Sequence, residues 1–452
     1  MTIRTVLTSD TPNSGRLIWN ANDVELERRI NALALNVSAA PYNALGDETA
    51  DDRMALQAAI DDCYRAGGGY VFLPAGTYLL KSGALLLRDG VNLIGAGMYQ
   101  STIKLGAGVN APVITDESAQ GSGAYAFGRV YLAHFRIDGN KAQNPNGQAG
   151  LFTTAYFSTF EHICICDCRT NGMRIGLEDM ANAASQNRFV GCRVTGCDGA
   201  GVYLDINATD HLVAENYIHG CDYGVVIRNG GVRVVNNDIY GNRIAGILVT
   251  QTSHGSLIAG NDLNANRRHG IHITRTSTRD NVQWSQLLVT GNSILGDELE
   301  QDALYDGIYI ATDVPGGIAK LTIMGNKIYT LGGPNRFRYG VNLETNVTDA
   351  ACFQNHIQDA LATYHVGADC ARIELDSIDG GKVATPPIPP RGVALTNPYH
   401  APVTVYISGG QVDAIEVNGH LTGLTGGSFR LRAQHTIALS YSAAPTWIWF
   451  AD

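Results

Sequence analysis

Cysteine is sparse and odd in number, nine in 452 residues, with no regular pairing interval, so a disulfide framework is not expected in a chain this long. Charge is sparse as well: Asp, Glu, Lys and Arg make up 16%, against about a quarter in an average protein. With 32 Lys plus Arg set against 42 Asp plus Glu the net charge is −10, which argues against a nucleic-acid binder working by phosphate neutralisation. No run of 18 apolar residues occurs, and residues 1–15 are polar without an apolar core. Neither a membrane span nor a signal peptide is therefore expected, and synthesis in a reducing cytoplasm is. What the chain does have is glycine, 52 residues, together with a 45% apolar fraction. No Gly-X-Y period accompanies it, so collagen and disorder are both excluded, and many short strands joined by many turns remain.

The strands repeat. From about residue 131 to 357 one phrase ends in a fixed polar slot followed by an apolar residue, as in Val213-Ala214-Glu215-Asn216-Tyr217-Ile218. The slot holds Cys192, Asn216, Asn237, Asn261, Asn292, Asn326 and Asn355, at intervals of 24, 21, 24, 31, 34 and 29 residues. A second phrase, Gly-apolar-X-apolar, recurs from Gly172-Met173-Arg174-Ile175 through Gly270-Ile271-His272-Ile273 to Gly340-Val341-Asn342-Leu343. Short strands at such a period, without helical periodicity between them, predict a parallel β-helix in which each repeat is one coil. Neighbouring coils lie about 4.8 Å apart, so an Asn at a fixed turn position bonds its counterpart one coil away and the slot becomes an asparagine ladder.

Residues 42–105 carry Tyr42-Asn43-Ala44-Leu45-Gly46-Asp47, Ala50-Asp51-Asp52, an amphipathic stretch over 54–65, Gly67-Gly68-Gly69, Phe72-Leu73-Pro74-Ala75-Gly76-Thr77-Tyr78 and Leu93-Ile94-Gly95-Ala96-Gly97. This opening resembles the pectate-lyase-like superfamily of right-handed parallel β-helix proteins, which includes bacteriophage tailspikes and polysaccharide-degrading enzymes. The fold class expected is all-β: a right-handed parallel β-helix with an N-terminal capping helix and a small C-terminal β-sandwich-like domain. In physical terms Asp51 or Asp52 caps a helix whose apolar face is Met54, Leu56, Ile60 and Cys63. The resemblance implies that this helix closes the open end of the coil, which is otherwise an unpaired edge.

The expected organisation is a neck or attachment segment over 1–40 with a helix at 24–35, the β-helix over 41–383, a stiff Pro-rich linker over 384–392, and a β-strand module over 393–452. A helix that short is marginal alone and is read as packing on a partner. The apolar end Trp447-Ile448-Trp449-Phe450 suits packing or association. Resemblance to tail proteins implies a homotrimer, attachment to a phage tail or baseplate through the N-terminal segment, and work on a virion tail or outside the cell.

In the Gly-apolar-X-apolar strand the X residue and the one two places later point outward. Stacking turns them into two rows: Arg174, Tyr203, Val226, Leu248, His272, Tyr309, Asn342, and Gly176, Asp205, Arg228, Thr250, Thr274, Ala311, Glu344. Aromatic rings stack on sugar faces and Arg pairs with carboxylate sugars, so Arg174, Tyr203, Arg228, Tyr309, Asn342 and Glu344 are the candidate substrate-binding residues. Glycoside hydrolysis needs two carboxyl groups across the scissile bond. Asp205 with Glu178 or Asp179 is the candidate pair, against a plain Asp205–Arg228 salt bridge between coils. His272 is the candidate acid or base. The acidic loop over 296–306 is read as a solvated insertion or a groove wall. The resemblance adds that related enzymes place their sites on this strand and its loops. The paired-aspartate and His-Gly phrases of polygalacturonases and the Asp-Pro-His-Asp phrase of alginate epimerases are absent, so the substrate is not named. Alternating Cys164, Cys166 and Cys168 share a face and cannot cage a metal unaided, so they are read as small core thiols. No cofactor is expected, and no motif supports a Ca²⁺ site. The reading is a tailspike-like depolymerase of a bacterial surface polysaccharide, hydrolase or lyase. The rivals are a glycan-binding protein that does not cleave, and an epimerase or transferase on the same scaffold.

Overall fold

A computed structural model describes residues 34–120, 127–178, 184–251, 255–275, 286–332, 334–376 and 383–451. The chain divides into two compact units, Met1–Asp198 and Gly199–Asp452. Parallel strands form three sheets of 13, 11 and 11 members. Each coil contributes one short strand to each sheet. In the second unit one coil is Arg233–Val235, Asp238–Tyr240 and Ala245–Val249, and the next is Ser256–Ala259, Asp262–Asn264 and His269–Arg275. They stack in register, Val234 on Ile258, Ile239 on Leu263 and Ile247 on Ile271. Each of these six apolar side chains is fully buried, so the core is a set of aliphatic columns along the coil.

The asparagine slot is a ladder. Asn216, Asn237, Asn261, Asn292 and Asn326 each donate a side-chain amide hydrogen to the Oδ1 of the next member, at 2.9 Å. Their backbone N–H groups reach the same oxygen at 3.0 to 3.1 Å. A second, shorter ladder runs Asn242 to Asn266 at 2.9 Å and was not read from the sequence. The glycine of the second phrase has a different physical basis from a turn requirement. At Gly246 a Cβ would lie 2.6 Å from Leu263 Cδ2, and at Gly270 2.4 Å from Ile294 Cγ2, so an aliphatic column occupies the space a side chain would need.

In the first unit the helix spans Arg53–Arg65 with Asp52 at its N-cap position, but Asp52 does not cap it by a side-chain hydrogen bond. Its carboxylate instead accepts the N–H groups of Leu45 (2.7 Å) and Gly46 (3.1 Å). Met54 was expected on the apolar face and is 64% exposed; Leu56, Gln57, Ala59, Ile60 and Cys63 form the buried face. Of the helix expected over 24–35, residues 24–33 lie outside the described residues. Its last two positions, Ala34 and Leu35, stand in a strand, Ala34–Asn36, paired in parallel with Gly69–Leu73.

The C-terminal strands are antiparallel and form a four-stranded and a three-stranded sheet around a shared apolar core. The Pro-rich stretch read as a linker lies along this module. The Pro386 carbonyl accepts from Trp447 Nε1 at 2.8 Å, and the Pro389 carbonyl from the Tyr441 hydroxyl at 3.0 Å. The terminal apolar segment divides by strand alternation. Trp447 and Trp449 are buried in the module, while Ile448 and Phe450 face outward beside Tyr406.

Candidate active site on the glycine-phrase sheet

The sheet built from the glycine phrase carries the expected first row. In the second unit Tyr203, Val226, Leu248, His272, Tyr309 and Asn342 are successive Cα partners, and His365 extends the row by one coil. Arg174, in the first unit, pairs with Phe152 and holds its guanidinium 4.8 Å from that ring's centre. The polar chemistry gathers where His269–Arg275, Ile308–Thr312 and Tyr339–Thr345 run side by side.

His269 stacks on Tyr309 at 4.7 Å, with 13° between the ring planes, and His272 lies tilted against Tyr309 at 5.2 Å. The two imidazoles are 5.4 Å apart. Burial disfavours the imidazolium, and it pulls His269 down to about 3, assisted by His272, and His272 down to about 4. Both rings are therefore neutral at pH 7, and the Nδ1 of His269 accepts the Asp306 N–H at 3.1 Å. Tyr309 is pushed above its ordinary value, first by burial and then by the Glu344 carboxylate, so it keeps its proton.

Asp306 is fully buried and accepts four hydrogen bonds: Arg338 Nε (3.1 Å), Arg338 Nη2 (2.8 Å), the Tyr339 N–H (3.1 Å) and Asn342 Nδ2 (2.9 Å). Asn342 Nδ2 and Arg338 Nη2 also reach Glu344 Oε2, at 2.6 and 3.3 Å. The result is a braced carboxylate–guanidinium platform beside two neutral imidazoles and a phenol. An open groove of about 560 Å³ lies against His272 and Tyr309, lined also by Thr274, Arg275, Thr312 and Asp313.

The structure treats the sequence candidates unequally. His272, Tyr309 and Asn342 come together, and Glu344 joins them by another route. A bulge between Ile310 and Ala311 sets Thr345 opposite Ala311, so Glu344 is off the expected second row and reaches the site through Asn342 and Arg338. Asp205 was expected to point outward, but it is fully buried. Arg228 Nη1 binds its Oδ1 at 2.9 Å and the Tyr203 hydroxyl at 3.0 Å, so these three form one bridge between adjacent coils. Glu178 is exposed on the loop after Met173–Ile175, and Asp179 lies outside the described residues. In the acidic loop, Glu300 and Asp302 pair with Arg268 and Arg336 at the surface, and Asp306 enters the site.

Sequence reasoning missed His269, Arg275 and Arg338, and named Asp306 only as part of a loop. A signal was present: His269, Asp306 and Tyr339 each stand one residue before a phrase glycine, with Arg338 one further back. The position before the glycine is a third outward row.

Comparison with known proteins agrees with this architecture. Residues 35–248 match the family model described as rhamnogalacturonase A/epimerase, pectate lyase-like, and residues 187–328 match that of the right handed beta helix region. The chain is thus a right-handed parallel β-helix protein whose residues 35–248 are similar to the pectate-lyase-like model. Among curated relatives, mannuronan C5-epimerase AlgE4 of Azotobacter vinelandii is 40% identical over 122 residues, 25% of this chain and 21% of that protein. Alginate lyase 7 of the same organism is 37% identical over 122 residues, 25% of this chain and 14% of that protein. The chain thus matches under a quarter of either relative's length. Among solved structures, the Dettilon tailspike protein superposes with a TM-score of 0.55 at 15% identity, covering 92% of this chain and 94% of that one, which is a likeness of fold.

Proposed function

We propose that the chain is a tailspike-like depolymerase that takes a uronate-containing bacterial surface polysaccharide along this sheet and cleaves it by β-elimination. The observation that carries the reading is the neutral His272 beside the protonated Tyr309 on an open groove that Arg275 also lines. In this scheme Arg275 faces the uronate carboxylate. His272 removes the C5 proton, the electron pair forms the C4=C5 double bond, and the C4–O bond breaks. The departing oxygen takes the Tyr309 proton. An anionic sugar entering the groove supplies the charge that favours the imidazolium, so the base strengthens once substrate is bound. A two-carboxylate hydrolysis is less well served, because every Asp306 oxygen is already engaged and the carboxylate is buried. Relatives named as epimerases and a lyase support proton abstraction beside a uronate. On this reading the chain assembles as a homotrimer held to a tail or baseplate through residues 1–40, and the outward Tyr406, Ile448 and Phe450 offer apolar surface for association.

The test is incubation with a panel of capsular and exopolysaccharides, followed by size exclusion, ultraviolet absorbance and proton exchange in heavy water. Shortened chains that carry the new enoate absorbance support the proposal. Shortened chains without it mean hydrolysis, unchanged length with C5 deuteration means epimerisation, and bound but unaltered polymer means a receptor. Each of those three outcomes overturns it.

A further inference from the structure

The first unit carries a second concentration of chemistry, on the sheet that contains Cys164–Cys166. Ile165 points into the core, so Cys164 and Cys166 point to the opposite, outer face, where the sequence reading had placed core thiols. They are nonetheless only 4% and 2% exposed. Arg136 is the Cα partner of Cys164, and Asp138 that of Cys166. Arg136 donates from Nε (3.1 Å) and Nη2 (2.9 Å) to the Cys166 sulfur. Asp167, in the turn that follows, completes the cluster: one ligand atom each from Asp138, Cys166 and Asp167 lie within 4.8 Å of one another. The two thiols also hydrogen-bond each other. Arg136 and Arg193 lie near Cys164.

We propose that Cys166, Asp138 and Asp167 form a binding site for a thiophilic divalent cation of the zinc or cadmium type, with the neighbouring Cys164 thiol drawn in as the fourth ligand. Two sulfurs and two carboxylate oxygens make a four-ligand set, which is what such ions take. Alternate residues of one strand cannot build a tetrahedron by themselves; here the adjacent strand and the turn supply the two oxygens. The guanidinium of Arg136 and the ammonium of Lys104, both near Asp138, repel a hard cation held by charge alone. They leave the advantage to a metal bonded strongly to sulfur. Arg136 keeps its role when the metal enters, since a metal-bound thiolate still accepts N–H donors, as outer-shell groups around such sites do. As the metal enters, any proton still held by either sulfur leaves to solvent, and no electron is transferred. The bound ion ties Arg136–Asp138 to Cys164–Cys166 and its following turn, so it clamps two consecutive coils.

The experiment uses the full chain, reduced and stripped of metal, titrated with Cd²⁺ and separately with Zn²⁺. The expected result is one Cd²⁺ per chain with sulfur-to-cadmium charge-transfer absorption, and a rise in unfolding temperature. Cys164→Ser and Cys166→Ser are expected to remove the absorption, and Asp138→Asn and Asp167→Asn to weaken binding at least tenfold. Cys63→Ser, away from the cluster, is expected to bind as the parent does. Asp167 is exposed, so Asp167→Asn tests the ligand set even if a buried cysteine variant fails to fold. Absence of the absorption in the parent chain, its survival in the Cys164→Ser, Cys166→Ser double variant, or unchanged affinity in Asp167→Asn would each overturn the assignment.

Discussion

Replacing Asn261 by Ala tests whether the ladder stabilises the coil as strongly as its geometry implies. Asn261 is 1% exposed. Its Oδ1 accepts the backbone N–H of Asn237 (3.0 Å) and the Asn237 amide (2.9 Å), and its own amide donates to the Val234 carbonyl and Asn292 Oδ1, both at 2.9 Å. Alanine removes all four bonds. The Asn237 amide keeps the carbonyls of Val213 and Val235, and Asn292 Oδ1 keeps the Asn261 backbone N–H, so two of the losses are partly covered. The Asn237 backbone N–H is left buried and unmatched. One net bond at about 1 kcal/mol and one orphaned buried donor at about 1–3 kcal/mol give roughly 2–4 kcal/mol. At the lower end of the usual conversion, about 2 °C per kcal/mol, the unfolding temperature falls by about 4–8 °C. Asn355 is the internal control. It makes bonds of the same kind to Asn326 and Ile323 but is only half buried, so water can replace them. Asn355→Ala is expected to cost about 1 kcal/mol. Thermal unfolding followed by circular dichroism measures both variants. Equal losses in the two would refute the argument that desolvation sets the cost, and a loss under about 2 °C for Asn261→Ala would refute the ladder's energetic role.

His272→Gln and Tyr309→Phe are each expected to reduce enoate formation by at least a hundredfold while polymer binding stays within a few fold; retained turnover in either removes that residue from the chemistry. The buried histidines make stability sensitive to acid. His269 near 3 and His272 near 4 lie below the ordinary 6.5, so below pH 6.5 the unfolded chain takes up protons that the folded chain refuses. The unfolding temperature is expected to fall as pH drops from about 6.5 toward 4, and a His269→Gln, His272→Gln chain measured over that range is expected to fall less. Asp205→Ala is expected to cost about 1–3 kcal/mol, because it removes the buried carboxylate of the bridge while Arg228 keeps the Tyr203 hydroxyl and partial access to water. An unfolding temperature equal to the parent's would show the bridge to be dispensable.

What the sequence disclosed follows from which physical constraints repeat. A slot such as Asn216, Asn237, Asn261 recurs because each coil must satisfy the same turn, and recurrence is visible in one chain without any relative. The phrase glycines recur because an aliphatic column from the next strand fills the same space in every coil. Chemistry does not recur. His269, Asp306 and Arg338 each occur once, at the position before a glycine or the one before that; the position recurs with the phrase, but the residue type does not, so only the place and not the chemistry was legible. Alternation fixed that X residues such as His272 and Tyr309 face outward, and the structure bears this out. It could not say how deeply an outward residue is covered. Asp205 and Cys166 obey the alternation and are still buried, with Arg228 bound to the first and Arg136 to the second. Outward on a β-helix therefore means facing away from the aliphatic columns, not facing water. A long arginine one coil away decides between the two, and so decides which polar side chains are left to meet a sugar and which are sealed into the scaffold.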